Sequence, residues 1–267
     1  MMEVERTIIV KLGGSVITHK GSSPPTTNDE NLSRIAKELK SYKGGLVVVL
    51  GGGAHGHQSA HSHGFGNPNT PKEQLLMGIP HIRHNMSILA LKVESELNNE
   101  GIPTIVIPPF TIVTLRNKSI QDFSITTMKK ALENGCAVVI HGDVCFDEER
   151  GASILSGDTI AVFLARQLDV KSIYIGTDVD GVLDDNPKLN PSAKHIPVID
   201  HNNKEDVLTK TGPSMNTDVT GGMSKKVNEL LELAKQDLDI IIFNLTVPGR
   251  LTSLLLGEST ICTRIMP

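Results

Sequence analysis

The chain has 267 residues, 21% of them charged and 39% hydrophobic, with a formal net charge of −4 at pH 7. That length suits one large α/β domain or two intimately packed lobes around a sizeable core. The near-balanced charge argues against a nucleic-acid partner, and the start, with an apolar stretch at Thr7 to Leu12 broken by Lys11, is too short and too charged for a signal peptide or membrane span.

Read in chain order, continuous apolar runs alternate with helix-like stretches. The runs are ERTIIVKL ending at Leu12, GLVVVL ending at Leu50, TIVIPPF ending at Phe110, CAVVIHGD ending at Asp143, SIYIGTD ending at Asp178 and DIIIFNL ending at Leu245. Helices are expected at Asn31 to Lys40, Ile82 to Asn98, Ile125 to Asn134, Asp158 to Leu168 and Gly221 to Lys235. Loops are expected at Gly64 to Pro71 and Asp184 to Pro197, both rich in turn formers. Runs that do not alternate belong to strands covered on both faces, so the expected fold is a three-layer αβα arrangement on a mostly parallel sheet. Such sheets collect ligands at the carboxyl ends of their strands.

Glycine segments sit at those ends: KLGGS at Lys11 to Ser15, GGGAHGH at Gly51 to His57, SGDT at Ser156 to Thr159 and TGGMSKK at Thr220 to Lys226. Together they offer unshielded backbone N–H groups, lysines and a carboxylate to orient the lysines. That is the equipment for holding a phosphate chain against a second anion, and it points to phosphoryl transfer. Lys20 is a further cation, and Lys226 lies where a helix start favours anions. Asp158 reads either as a helix N-cap or as the orienting carboxylate, and Asp178 and Asp180 in TDVDGV either build a turn or face a nucleotide.

Other readings of these residues are weaker. GGGAHG satisfies the dinucleotide pattern, but the polar loop around Pro68 stands where that fold needs a second strand and an acidic ribose ligand. No Gly-Lys dipeptide occurs, which removes the P-loop, and the HRD and DFG signatures of protein kinases are absent. His55, His57, His61 and His63 have no cysteine near them, so no protein metal site is expected. His57 reads instead as a donor to an acceptor phosphate. Cys136, Cys145 and Cys262 form no CxxC pair and read as reduced, buried thiols, in keeping with a cytoplasmic protein.

In this order, KLGGS, the second-strand GGG, SGD, TDVDGV and DVTGGM with its following lysine resemble the amino acid kinase superfamily over essentially the whole chain. Within it, GGGAHGH with His57 and HGDV at His141 to Val144 are similar to the archaeal type of isopentenyl phosphate kinase. His55 departs from that pattern, standing where relatives usually carry phenylalanine. The resemblance implies an ATP-dependent kinase of a small phosphomonoester, isopentenyl phosphate, in isoprenoid biosynthesis by the mevalonate pathway. Fosfomycin or another phosphonate is the alternative acceptor, and a non-catalytic nucleotide sensor is the alternative of another class.

The resemblance also implies roles. Lys11, Lys20, His57, Asp158 and Lys226 carry catalysis, the lysines offsetting charge and Asp158 orienting them. ATP is bound by Lys11, Gly13, Gly14, Ser15, Gly53, Asp178, Gly222 and Lys226, with Mg2+ held by phosphates and water. Gly52, Gly53, His57 and Gly157 hold the acceptor. The implied organisation is a single domain over residues 1–267, with an acceptor lobe to about residue 165, a nucleotide lobe from about residue 166, and a homodimer formed through the N-terminal half.

Overall fold

A computed structural model describes residues 6–185, 187, 189–211, 222–234 and 238–267. Chain order gives β1 (Thr7–Leu12), α1 (Gly14–Ile17), α2 (Asp29–Leu39), β2 (Leu46–Leu50), α3 (Gly53–Ser62), α4 (Lys72–Asn99) and β3 (Thr104–Val106). There follow β4 (Val113–Arg116), β5 (Ser119–Phe123), α5 (Thr126–Glu133), β6 (Ala137–His141), β7 (Asp143–Asp147), β8 (Gly151–Leu155) and α6 (Gly157–Gln167). The remainder is β9 (Val170–Thr177), β10 (Val182–Leu183), β11 (His195–Ile196), β12 (Val198–Ile199), α7 (Lys204–Thr211), α8 (Gly222–Ala234), β13 (Asp239–Asn244), α9 (Arg250–Leu255) and β14 (Cys262–Ile265).

The main sheet runs β12-β14-β13-β9-β1-β2-β6-β3, and among the described residues its one antiparallel pairing is β13 with β14. Alternate side chains of each central strand enter different cores. Ile8, Val10 and Leu12 of β1 pack with α2, α4 and α9 through Leu32, Ile35, Met86, Leu89 and Leu251. Ile9 packs the other way, with Met128 of α5, Ile160 and Leu164 of α6, and Leu230 of α8. Burial on both faces is why these strands read as unbroken apolar runs. Each fully buried Ile, Leu or Val contributes about 1.5–3 kcal/mol, and truncating Ile9 to alanine costs about 2–5 kcal/mol.

Helices α1, α7 and α9 stand where no helix is expected, and α3, α4 and α6 also differ from the sequence expectation. Helix α4 begins at Lys72 rather than Ile82 and carries Pro80 within it. A proline normally ends a helix, but Leu75 and Gly78 before it and Ile82, Met86 and Leu89 after it are all buried, so packing holds both halves in line. Helix α3 forms from glycine and histidine where no helix is expected. In α6 the N-cap is Ser156, whose hydroxyl accepts from the Thr159 N–H at 3.1 Å, so Asp158 stands one step inside the first turn. A second sheet, β5-β4-β7-β8, lies beside the main one. Asp147 fastens its turns: the buried carboxylate accepts from the N–H groups of Asn117, Lys118, Glu149 and Arg150 and from the Ser153 hydroxyl.

The parallel strands end level with one another. Leu12 pairs in register with Leu50 and with Gly176, and Leu50 with His141. Everything that follows these strands therefore opens onto one edge of the sheet.

Candidate active site

At that edge lies a cavity of about 510 Å3. Into it come Lys11 from the end of β1, Gly13, Gly14 and Ser15 just beyond that strand, Gly52, Gly53 and His57 after β2, Gly157 and Asp158 after β8, and Asp178 after β9. Lys20, from the loop behind α1, also lines it. The fourth glycine segment is outside this description: Gly222 begins α8, but Thr220, Gly221 and the side chain of Lys226 lie outside the described residues.

The glycines bring backbone against backbone. A Cβ built on Gly14 would stand 2.3 Å from the Gly53 nitrogen, and one on Gly157 would stand 2.8 Å from the Leu50 carbonyl oxygen. Side chains at these positions would wedge the turns apart. Gly53 also takes φ of +49°, a left-handed conformation that β-carbon-bearing residues adopt at a cost.

Not every glycine amide is available. The Gly13 N–H donates to the Gly176 carbonyl at 3.0 Å, so that amide is engaged within the protein. Gly14 and Ser15 are the first residues of the α1 turn, where N–H groups have no partner within the helix. Gly53 and Gly157 hold the equivalent places at the starts of α3 and α6, each of at least ten residues, whose N-terminal ends favour anions.

Two ion pairs supply the fixed charges. Lys11 Nζ lies 2.8 Å from Asp158 Oδ1, with only 8% of the lysine side chain exposed. A flexible ammonium is thereby held at the sheet edge. Lys20 Nζ donates to Asp178 Oδ2 at 2.7 Å, in a more open position. Burial works against the Asp178 charge, but the Lys20 ammonium and the Ser15 hydroxyl outweigh it and hold the carboxyl below its ordinary range. His57 is exposed on α3 at the cavity wall.

Apolar lining comes from Ile82 and Met86 of α4 and Ile154 and Leu155 of β8. Elsewhere on α4, Ile88 is 47% exposed and Leu89 is in the core, and neither lines the cavity. The four clustered histidines separate. His55 is buried, and burial pushes its imidazole below the usual range, whereas His63 stacks on His81 with ring centres 5.0 Å apart. Among the described residues no group of three or more His, Cys, Asp or Glu is placed to hold a metal ion.

Sequence reasoning missed a buried pair at the cavity, which Asp143 lines. Arg83, one residue past Ile82, donates to Asp143 Oδ2 at 2.8 Å and lies 4.7 Å over the Phe110 ring. Burial pushes the Asp143 carboxyl up, against the pull of His141 and Arg83. It pushes the neighbouring His141 down, so that imidazole is neutral at pH 7 with Nδ1 bonded to the Gly142 carbonyl at 3.0 Å. The partners are sixty residues apart, and no spacing signals the pair.

Comparison with known proteins agrees with this geometry. The chain is 36% identical over 264 residues to an isopentenyl phosphate kinase of Methanothermobacter thermautotrophicus, spanning 97% of this chain and 98% of that protein. It is 34% identical to the isopentenyl phosphate kinase of Methanocaldococcus jannaschii, over 94% of this chain and 95% of that protein. A crystal structure of an isopentenyl phosphate kinase superposes with a TM-score of 0.84 at 34% identity, covering 97% of this chain and all of the other. UMP kinase of Ureaplasma parvum, at 19% identity and a TM-score of 0.66, shares the fold. With the amino acid kinase family model matching residues 6–244, this chain belongs to the amino acid kinase family.

Proposed function

We propose that the protein transfers the γ-phosphoryl group of ATP to isopentenyl phosphate, giving isopentenyl diphosphate and ADP for isoprenoid biosynthesis, with the mevalonate pathway as its setting. The observation that carries this reading is one cavity lined both by cationic, glycine-bearing turns and by the apolar side chains of Ile82, Met86, Ile154 and Leu155. An acceptor with a phosphate head and a short hydrocarbon tail matches both. Kinases of the same name with similar sequence over nearly their full length support it.

An oxygen of the acceptor phosphate attacks the γ-phosphorus in line while the bond to the β-phosphate oxygen breaks. The acceptor is already anionic at neutral pH, so no strong general base is needed, and catalysis reduces to alignment and charge. Two unit charges 4 Å apart repel by roughly 4 kcal/mol at an effective dielectric of 20, and fixed cations have to offset that. We assign this to Lys11, held by Asp158, with Lys20 and Lys226, and to the amides of Gly14, Ser15, Gly53 and Gly222. His57, Gly52 and Gly157 take the acceptor phosphate, and Asp178 lines the nucleotide side. With no carboxylate or histidine cluster placed for a metal among the described residues, Mg2+ fits as an ion carried by the phosphates and water, sharing in charge neutralisation.

In this reading the acceptor is held by the part before about residue 165 and the nucleotide by the part after it. A homodimer through the N-terminal half accords with exposed Met77, Ile88 and Leu91 on α4. Free cysteines accord with the cytoplasm, and no described helix is long and apolar enough to cross a membrane.

The test is a panel of isopentenyl phosphate, dimethylallyl phosphate, fosfomycin, uridylate and acetylglutamate, each with ATP and Mg2+. The expected result is the highest kcat/KM with isopentenyl phosphate. Preference for fosfomycin, or nucleotide binding without turnover of any acceptor, contradicts the proposal.

A further inference from the structure

Thr18 is 2% exposed and ties together two of the glycine turns. Its hydroxyl donates to the Gly14 carbonyl at 2.7 Å and accepts from the Ala54 N–H at 3.0 Å. Its own N–H donates to the same Gly14 carbonyl at 3.0 Å. One side chain therefore spans from the turn after β1 to the start of α3, whose third residue after Ala54 is His57. A hydroxyl suits this place because it is a donor and an acceptor at once.

The fit leaves no slack. Gly53 approaches so closely that a Cβ there would lie 2.3 Å from the Thr18 hydroxyl oxygen. The Ala54 N–H is buried, and without the hydroxyl it would lose its partner, as would one bond to Gly14. Separation of the two turns sets the spacing between a phosphoryl group held after β1 and an acceptor phosphate held beside α3. Reacting atoms must stand about 3–3.5 Å apart, and errors near 1 Å cost on the order of 100-fold in rate.

We propose that Thr18 is a positioning residue for phosphoryl transfer, its hydroxyl fixing the donor-side turn at Gly14 against the acceptor-side turn at Gly53 and Ala54. The inference rests on the kinase reading above. It differs from the roles assigned there, since Thr18 acts through the backbone it holds.

The experiment compares wild type with Thr18→Val, which keeps the shape and removes the hydroxyl, and with Thr18→Ser, which restores the hydroxyl. Thr18→Ala serves as a second hydroxyl-free variant should valine not fold. Two readouts are taken: hydrogen exchange at the Ala54 amide, which needs no acceptor, and steady-state kinetics with isopentenyl phosphate and ATP. In the hydroxyl-free variant, Ala54 exchange is expected to rise at least about 10-fold and kcat to fall about 10- to 100-fold, with both KM values within about threefold of wild type. Thr18→Ser is expected to return both readouts to near wild type. Unchanged Ala54 exchange overturns the link. Faster exchange with unaltered kcat, or a serine variant as impaired as the hydroxyl-free one, overturns the positioning role. Wild-type protein inactive on isopentenyl phosphate would instead refute the acceptor assignment, while the exchange readout still decides whether Thr18 joins the turns.

Discussion

Gly14→Ala separates what the local sequence favours from what the assembled site allows. Gly14 opens the helical turn α1, and in a helix alanine is preferred over glycine by about 0.5–1 kcal/mol. Local reasoning therefore expects a gain in stability. In the folded protein the new methyl would lie 2.3 Å from the Gly53 nitrogen, where real contacts are essentially never under 3.0 Å, so the two turns must part by about 0.7 Å. Neither neighbour is a flexible side chain tip, and overpacking of this kind costs about 1–3 kcal/mol. The net expectation is a loss of up to about 2.5 kcal/mol. On the scale where 1 Å of misplacement costs about 100-fold, kcat falls about 10- to 100-fold. Urea denaturation and steady-state turnover at saturating substrates measure both. Gly135→Ala is the control, since Gly135 has φ of +75° with nothing within 4 Å of its absent Cβ. That variant loses about 1–2 kcal/mol of stability from its left-handed backbone and keeps full turnover. If Gly14→Ala is more stable than wild type, or turns over within twofold of it, the close-packed turns are not what positions the chemistry.

Lys11→Ala is expected to lower kcat by on the order of 100-fold or more, as for loss of a preorganised donor; a change under fivefold removes Lys11 from the reacting centre. His57→Ala is expected to raise KM for isopentenyl phosphate while leaving KM for ATP unchanged, and initial-rate kinetics varying each substrate in turn decide it. Asp147→Asn is expected to cost about 2–4 kcal/mol at pH 7, because an amide nitrogen would face the Lys118 N–H and the Ser153 hydroxyl. Burial alone would raise the Asp147 carboxyl, but hydrogen bonds from Lys118, Ser153, Arg150 and Glu149 outweigh it and hold it below its ordinary value. The native contribution is thus complete above about pH 4, the unfolded value, and fades as pH falls through the lower folded one. Urea titrations at pH 7 and pH 3 should show the gap between wild type and Asp147→Asn narrowing in acid, and a constant gap refutes the charge-based explanation.

The central sheet was legible because burial on both faces writes itself as unbroken apolar runs, such as LVVVL in β2. Strand ends marked by glycine were enough to bring Lys11, Gly14, Gly53 and Asp158 to one edge. Helix α3 was not legible, since its glycines and histidines form a helix only when lodged against α1 and α4. The first half of α4 was hidden by Pro80, whose local cost is overridden by packing on both sides. Long-range partnerships left no trace in the sequence. The bond from Gly13 to Gly176, the Arg83–Asp143 pair and the Thr18 link to Ala54 depend on how separate turns meet.

The central claim is that one cavity grips both phosphates, with Lys11 and the Gly14 and Gly53 turns between them. A crystal structure with a non-hydrolysable ATP analogue and isopentenyl phosphate tests it most directly. The expected result places the terminal phosphate and the acceptor phosphate in contact at the carboxyl ends of β1 and β2, with the hydrocarbon tail on Ile82 and Met86. Finding either phosphate away from that edge, or the tail turned to solvent, would contradict the account.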